Sequence, residues 1–510
     1  MFSCIKTCTL EGLQGHIINV ETDISRGMPK FSIVGLPDTA VKESIERAKS
    51  AVKNSGLEFP IAKILTNLAP ANIKKDGTQI DLAIALGILA SSEQLNIENA
   101  EKYIFLGELS LDGTVNRIDG ALPMVISCRE MGYDKFILSN QNKNECAVVS
   151  DVEVYPVNNL NEVVDFLGEN IKIDRYVVDS YEMISQGKSG LNFEDMRGQE
   201  QLKRALEISA AGSHNLLMLG PPGSGKTMAA KRLPSILPDL TFEEAIEVTK
   251  IYSVAGLTKN QGLITKRPFR SPHHTASMAS LIGGGRIPKP GEVSLAHNGV
   301  LFLDELPEFN KNVIESLRQP MEDGVVNISR VSATLQYPSD FLFLCSLNPC
   351  PCGYFGDPTH ECTCSPGDIN RYLGKISAPL LDRVDIHVEV KPVEFEDLSS
   401  VEKSESSESI LQRVNRARQI QLNRFEGQRI YSNSQIPDKL INKYIKLDKD
   451  LKKIIQMAFN KYAFSARAYN KILKVSRTIA DLDDSDNIKD IHLLEAIRYR
   501  VIDGNYWGNK

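Results

Sequence analysis

The apolar run Asn215-Leu216-Leu217-Met218-Leu219 passes directly into Gly220-Pro221-Pro222-Gly223-Ser224-Gly225-Lys226-Thr227 and then into Met228-Ala229-Ala230-Lys231-Arg232-Leu233, which has helix-forming composition. A strand, a glycine loop and a helix in that order make a phosphate-binding loop, because glycines let successive backbone N–H groups turn inward on phosphate oxygens. Lys226 would reach the terminal phosphates, and the Thr227 hydroxyl would hold Mg²⁺. The motif also restricts the fold around it, since the loop must leave the end of a strand in a sheet covered by helices. A nucleoside triphosphate with Mg²⁺ is the expected ligand.

A chain of 510 residues is too long for a single core, so two to four domains are expected. Residues 1 to about 170 read as a mixed α/β unit: Phe31–Leu36 has strand character, Thr39–Lys53 has helical periodicity, and Tyr103–Gly107 again reads as a strand. A polar stretch ending in Ser185-Gln186-Gly187-Lys188-Ser189-Gly190 reads as a linker. Beyond it, short and nearly continuous apolar runs at 216–219, 300–303, 341–347 and 386–390 have the character of doubly covered parallel strands. A charged, serine-rich segment at 402–409 separates them from a C-terminal region with helical periodicity.

Gly299-Val300-Leu301-Phe302-Leu303-Asp304-Glu305 is an apolar strand ending in two carboxylates. Asp304 suits a water-mediated hold on Mg²⁺, and Glu305 suits the orientation of an attacking water. Phe341–Leu347 ends in Asn348, where an amide could meet the γ-phosphate; a turn-forming Asn before Pro349 is the plainer alternative.

Net charge is −6, so any contact with nucleic acid must be local. Between Glu247 and Glu292 there is no acidic residue, where the overall composition predicts about five or six. That window holds Lys250, Lys259, Lys266, Arg267, Arg270, Arg286 and Lys289, with His273 and His274. Cys350-Pro351-Cys352 and Cys362-Thr363-Cys364, with His360 beside them, offer four thiolates in two close pairs; a structural tetrahedral Zn²⁺ is one reading and reduced thiols in a turn-rich loop the other. No apolar run reaches membrane-spanning length and the first residues lack a secretion-signal pattern, so a cytoplasmic location with no membrane partner is expected.

These motifs, together with Arg-Pro-Phe-Arg-Ser-Pro-His-His-Thr-Ala-Ser at 267–277, the run from Gly283 to Phe309, and Asn-Pro-Cys-Pro-Cys-Gly at 348–353, closely resemble the YifB/ComM family of magnesium-chelatase-like AAA+ ATPases. The resemblance spans nearly the whole chain. It implies an α/β fold in which a P-loop AAA+ core, a parallel sheet with helices on both faces, carries a helical C-terminal lid. An α/β domain like the Lon peptidase (ribosomal S5 domain 2-like) precedes the core. Implied boundaries are 1–172 for the Lon-like domain, 173–190 for the linker, 191–400 for the core with its helix-2 insert, pre-sensor hairpin and cysteine loop, and 410–510 for the lid.

The resemblance further implies a ring, usually a hexamer, with ATP between subunits and a neighbour's arginine completing each site. Leu380-Leu381-Asp382-Arg383-Val384-Asp385 matches the finger segment, so Arg383 takes that role. Ser465-Ala466-Arg467 matches the second sensor, with Arg477 the alternative, and Gly198-Gln199 resembles the segment beside the adenine. Residues 264–290 fit a pore insert and Val325–Tyr337 a pore hairpin, so Lys266, Arg267, Arg270, Arg286, Lys289 and Arg330 become candidate contacts to a DNA backbone. A solvated or packing surface is the alternative.

Asp76–Ala83 and Gly107–Leu122 resemble the Lon peptidase domain, whose Ser–Lys dyad would fall at Gln79 and in Pro123-Met124-Val125. Neither nucleophile nor base is present, so proteolysis is not supported. The leading expectation is a DNA motor acting in branch migration or unwinding during homologous recombination in natural transformation. The alternative is the motor subunit of a metal chelatase that remodels a protein partner, against which stands the expectation that such subunits lack the Lon-like domain.

Overall fold

The computed structural model describes all residues except 1, 179–189, 259–261, 286–287, 330–333, 358–359, 393–403, 463 and 507–510, and the side chains of 97 and 502–505. The amino-terminal strands are β1 (Phe2–Glu11), β2 (Gln14–Ser25), β3 (Lys30–Val34), β4 (Lys63–Ala69), β5 (Ile104–Leu106), the short pair β6 (Glu108–Leu109) and β7 (Val115–Asn116), β8 (Lys135–Ser139) and β9 (Glu153–Val157). Seven of them form one mixed sheet in the order β3-β4-β2-β1-β5-β8-β9. β1 and β2 make a long antiparallel hairpin with Ile5 opposite Val20, turning through Gly12-Leu13, where Gly12 takes a left-handed φ of 66°. Helix Asp81–Ser91 is buried along its whole length. At its start Asp81 accepts from Arg47 at 2.6 Å, so the charge buried with the helix is paired.

The central strands are β10 (Leu216–Leu219), β11 (Phe269–Arg270), β12 (Gly283–Gly284), β13 (Lys289–Pro290), β14 (Val300–Leu303), β15 (Val325–Ser329), β16 (Thr334–Pro338), β17 (Leu342–Leu347) and β18 (Ile386–Glu389). Five make an all-parallel sheet in the order β11-β14-β17-β10-β18. Every residue of β10, β14 and β17 is buried. Alternate side chains feed different cores: Leu216, Met218, Phe302 and Leu344 join one, and Leu217, Leu219, Leu303 and Cys345 the other. This two-faced burial is why the strands read as continuous apolar runs. The four runs predicted at 216–219, 300–303, 341–347 and 386–390 are these strands within a residue; β11, two residues long, had no signal.

The C-terminal region is helical as expected, with Ser407–Arg424, Lys449–Tyr462, Ala466–Leu482 and Asp490–Tyr506 as its longer members. Its apolar faces pack into the first of the two central cores, so lid and sheet share one hydrophobic cluster. Within the lid a buried polar node ties its helices together: Asp481 accepts from Arg424 at 2.8 Å, Asn433 at 2.7 Å and Arg477 at 3.0 Å. The architecture is that of an AAA+ core with a helical lid behind an α/β domain.

The amino-terminal domain is joined to the core by specific contacts. Leu122 and Val148 pack with Leu240, Ala245, Val248 and Leu263, on and beside helix Phe242–Val254. The Gly120 N–H donates to the Ser253 carbonyl at 3.0 Å, and Thr258 donates to the buried Glu145 at 3.1 Å. At the hairpin tip, Gly12 lies against Leu335 of β16. No helix among the described residues is long and apolar enough to cross a membrane.

Candidate nucleotide site

Strand β10 delivers the phosphate loop. The Gly220 N–H donates to the Leu347 carbonyl at 3.2 Å, and a Cβ on Gly220 would lie 2.2 Å from the Val390 carbonyl oxygen, so the loop leaves the sheet through a gap that only glycine fits. Gly223 and Gly225 hold φ of 76° and 89°, the left-handed turns that wrap the backbone. Lys226 then opens helix Lys226–Arg232. Its ammonium donates to the carbonyls of Gly220 at 2.7 Å and Pro221 at 2.8 Å, and to Asn348 Oδ1 at 3.3 Å. Burial pushes the Lys226 ammonium down to about 8, while Asp304 and Glu305 pull the other way.

β14 ends at the acidic pair. Thr227 Oγ1 donates to Asp304 Oδ2 at 2.6 Å, so the two residues expected to share Mg²⁺ already touch. Asp304 Oδ1 accepts from the Ser346 hydroxyl and from the Glu305 N–H at 3.2 Å. Glu305 takes a left-handed φ of 53°, a conformation that costs a non-glycine residue energy and recurs at functional sites. Its carboxylate is exposed, with His274 Nδ1 4.0 Å away; the His274 ring meets His273 at 4.0 Å with a 35° tilt between the planes. Ser346 and His274 were missed from sequence. A serine inside an otherwise apolar strand, two residues before Asn348, was the available signal for Ser346; His274 had been counted only as part of a basic window.

Gln199, at a φ of 59°, donates to the Ser224 carbonyl at 3.3 Å and the Lys391 carbonyl at 2.6 Å, pinning its segment to the loop. The structure thus gathers Gln199, the loop 220–227, Asp304, Glu305 and Asn348. It does not bring the two arginines to them. Arg467 is exposed in the first turn of Ala466–Leu482. Arg477 is buried in the polar node and also donates to the Asp486 carbonyl at 2.8 Å, which removes it as the alternative sensor. Arg383 donates to the Pro379 carbonyl at 2.7 Å and to Glu322, on a separate groove of about 520 Å³ lined also by Glu315, Arg318, Asp323 and Asn327.

Comparison with known proteins decides the family. Models described as magnesium chelatase subunit ChlI, subunit ChlI of Mg-chelatase and magnesium chelatase subunit ChlI C-terminal match residues 192–398, 20–142 and 404–500. The chain is 42% identical over 494 residues to the competence protein ComM of Haemophilus influenzae, covering 96% of each chain. It is 41% identical over 502 residues to YifB of Escherichia coli, covering 98% of this chain and 97% of that one. The chain belongs to the YifB/ComM family of magnesium-chelatase-like proteins. A weaker likeness, 26% over 168 residues, links it to Lon protease 2 of Bacillus subtilis. As a YifB/ComM protein it is an AAA+ ATPase of that type, and the family implies ATP and Mg²⁺.

In this YifB/ComM chain the Lon-like dyad positions are structural: Gln79 donates to the Asp76 carbonyl at 2.6 Å, and Pro123 is buried in helix Ala121–Glu130. The basic window is acid-free in sequence but not in space. Arg267 donates to Glu244 at 3.0 Å and to the carbonyls of Pro238 at 2.5 Å and Asn298 at 2.8 Å. Arg270 makes a two-pronged pair with Glu292 at 2.6 and 2.7 Å. Both therefore serve the fold here, with partners flanking the window. Lys289 lies 3.8 Å from Asp119 of the amino-terminal domain, and Lys266 is exposed. Arg286 and Arg330 lie outside the described residues.

The four sulfurs of Cys350, Cys352, Cys362 and Cys364 lie within 4.8 Å of one another. Backbone N–H groups point at them: Phe355 to Cys350 at 3.3 Å and Cys352 to Cys364 at 3.4 Å. The N–H of Tyr354 is the main influence drawing Cys352 down to about 6. Four thiols converging with N–H donors behind them fit a tetrahedral Zn²⁺. His360 instead stacks on Tyr354 at 4.8 Å.

Proposed function

We propose that this chain is one subunit of an ATP-driven ring, a hexamer in the cytoplasm, that encircles DNA and promotes branch migration or unwinding during homologous recombination in natural transformation. The observation that carries the reading is the likeness to the competence protein ComM along 96% of each chain. The half-built site is consistent with it. Lys226 and the loop backbone grip the triphosphate, and Thr227 with Asp304 would hold Mg²⁺, which supplies charge neutralisation on the phosphates. Glu305 orients the attacking water and Asn348 contacts the γ-phosphate. Arg383, on its separate groove, and Arg467, free in the lid, would meet the phosphates from a neighbouring subunit and from lid closure respectively. The insert, with Lys266, Lys289 and Arg286, and the β15–β16 hairpin, with Arg330 in the sequence between its strands, would touch the DNA backbone without reading bases. Zn²⁺ on the four cysteines would complete the subunit.

The chelatase reading keeps one specific support. A model described as subunit ChlI of Mg-chelatase matches residues 20–142, so the amino-terminal domain does not argue against it as expected. ATPase rate with and without single-stranded DNA, run beside a three-stranded branch-migration assay, separates the two. Stimulation by DNA and strand exchange are expected; an assembled ring that neither binds DNA at low salt nor moves a junction would sink the DNA motor.

A further inference from the structure

The cysteine loop is not a peripheral ornament of the core, because it touches the nucleotide site at two points. Asn348, which accepts from Lys226 at 3.3 Å, is two residues from Cys350. Cys350 is fully buried in the apolar cluster that holds Leu219, Leu303 and Leu347, the ends of the strands that deliver the phosphate loop, the acidic pair and Asn348. Farther on, Gly353 lies directly on the phosphate loop: a Cβ there would sit 2.5 Å from Pro222 Cδ and 2.8 Å from Cγ. The outer side of the loop is backed by the last helix, through Phe355 against Tyr506 at 6.2 Å. Tyr506 in turn donates to Glu389 at 3.0 Å.

Between β17 and the helix Pro366–Leu373 no helix or strand is formed among the described residues, so the loop has little backbone pairing of its own. Ordering each such residue costs about 1–2 kcal/mol in backbone entropy. The sulfur cluster draws its two arms together, with Cys362 3.6 Å from both Cys350 and Cys352, beside the Tyr354–His360 ring stack. A metal ion that draws four thiolates together would therefore fix both Asn348 and the surface pressed on Pro222.

Resting on the proposal that the cysteines bind Zn²⁺, we infer that this tetrathiolate site is a positioning element of the ATP site: metal occupancy holds Asn348 and the Pro222 face of the phosphate loop in place and so sets nucleotide affinity. Cys350, Cys352, Cys362 and Cys364 are the ligands, Asn348 and Gly353 the positioning residues, and a soft divalent ion the ligand class.

The test uses the full-length chain purified with zinc, with metal content measured directly and affinity for a fluorescent ATP analogue measured before metal removal, after it, and after zinc is restored. Expected are one zinc per chain and an affinity that falls about tenfold or more on removal and recovers on restoration. A chain without stoichiometric metal overturns the zinc reading and the inference with it. Metal present but affinity unchanged within twofold on removal, in a chain that keeps its circular dichroism, overturns the inference and leaves the metal site standing. Gly353→Ala adds a variant that leaves all four thiols intact, yet its Cβ crowds Pro222 and its φ of 89° is strained for Ala. Metal-replete Gly353→Ala should bind the analogue several-fold more weakly with its metal content unchanged, and wild-type affinity in that variant would also refute the coupling.

Discussion

Lys226 links nucleotide binding to protons. Its ammonium is held by two carbonyls and an amide oxygen inside the loop, and burial lowers it to about 8. A triphosphate stabilises only the charged form, so its arrival raises that value again. The sign follows: affinity is full below pH 8 and is lost as pH rises through 8. At pH 8 about half the unliganded chains carry a neutral lysine, so binding should take up about 0.5 proton. By pH 9 the charged fraction is about one in ten, which weakens affinity about tenfold, or about 1.4 kcal/mol. Calorimetry with Mg-ATP at pH 8 in two buffers of different ionisation enthalpy reads the proton uptake, and titrations from pH 7 to 9.5 read the slope. Lys226→Arg removes the titrating group, so whatever affinity remains should be flat with pH. A flat profile in the wild-type chain, or no uptake at pH 8, would refute the reasoning.

Three further outcomes are expected. Glu305→Gln should bind ATP as the wild type does while turnover drops about 100-fold or more, and near-normal turnover would remove Glu305 from its role. Arg383→Ala should leave nucleotide affinity within a few-fold and reduce hydrolysis about 1000-fold in the assembled protein only; an equal loss in isolated subunits would place Arg383 in its own subunit's site. Asp481→Ala strands Arg424 and Arg477 in the lid core, so denaturant unfolding should show a loss of about 3–5 kcal/mol, and a loss below about 1 kcal/mol would contradict the buried node.

The core strands were legible because a strand covered on both faces can hardly hide its apolar run, and the phosphate loop because its chemistry is local. The β1–β2 hairpin was not, and its polar residues explain why. Ser3 and Thr7 are fully buried, their hydroxyls donating to the carbonyls of Gly87 at 2.8 Å and Phe105 at 2.7 Å. A core strand satisfied in this way looks like a loop when only its letters are read. The same limit governs the site. Ser346 and His274 meet Asp304 and Glu305 only after the chain has folded, while Arg267 and Arg270 read as available cations because Glu244 and Glu292 stand just outside the window.

Two of the joints between the amino-terminal domain and the core lie far apart along the core's chain. One grips the end of helix Phe242–Val254, ahead of residues 264–290, through Gly120 and Thr258; the other rests Gly12 on Leu335 of the β15–β16 hairpin. A rigid sheet with a foot on each acts as a caliper across the gap between them. A stroke of the proposed motor that changed the spacing of these two places would either lift one foot or carry the whole domain with it. A domain without the Ser–Lys dyad would in that way gauge the working part of the proposed motor.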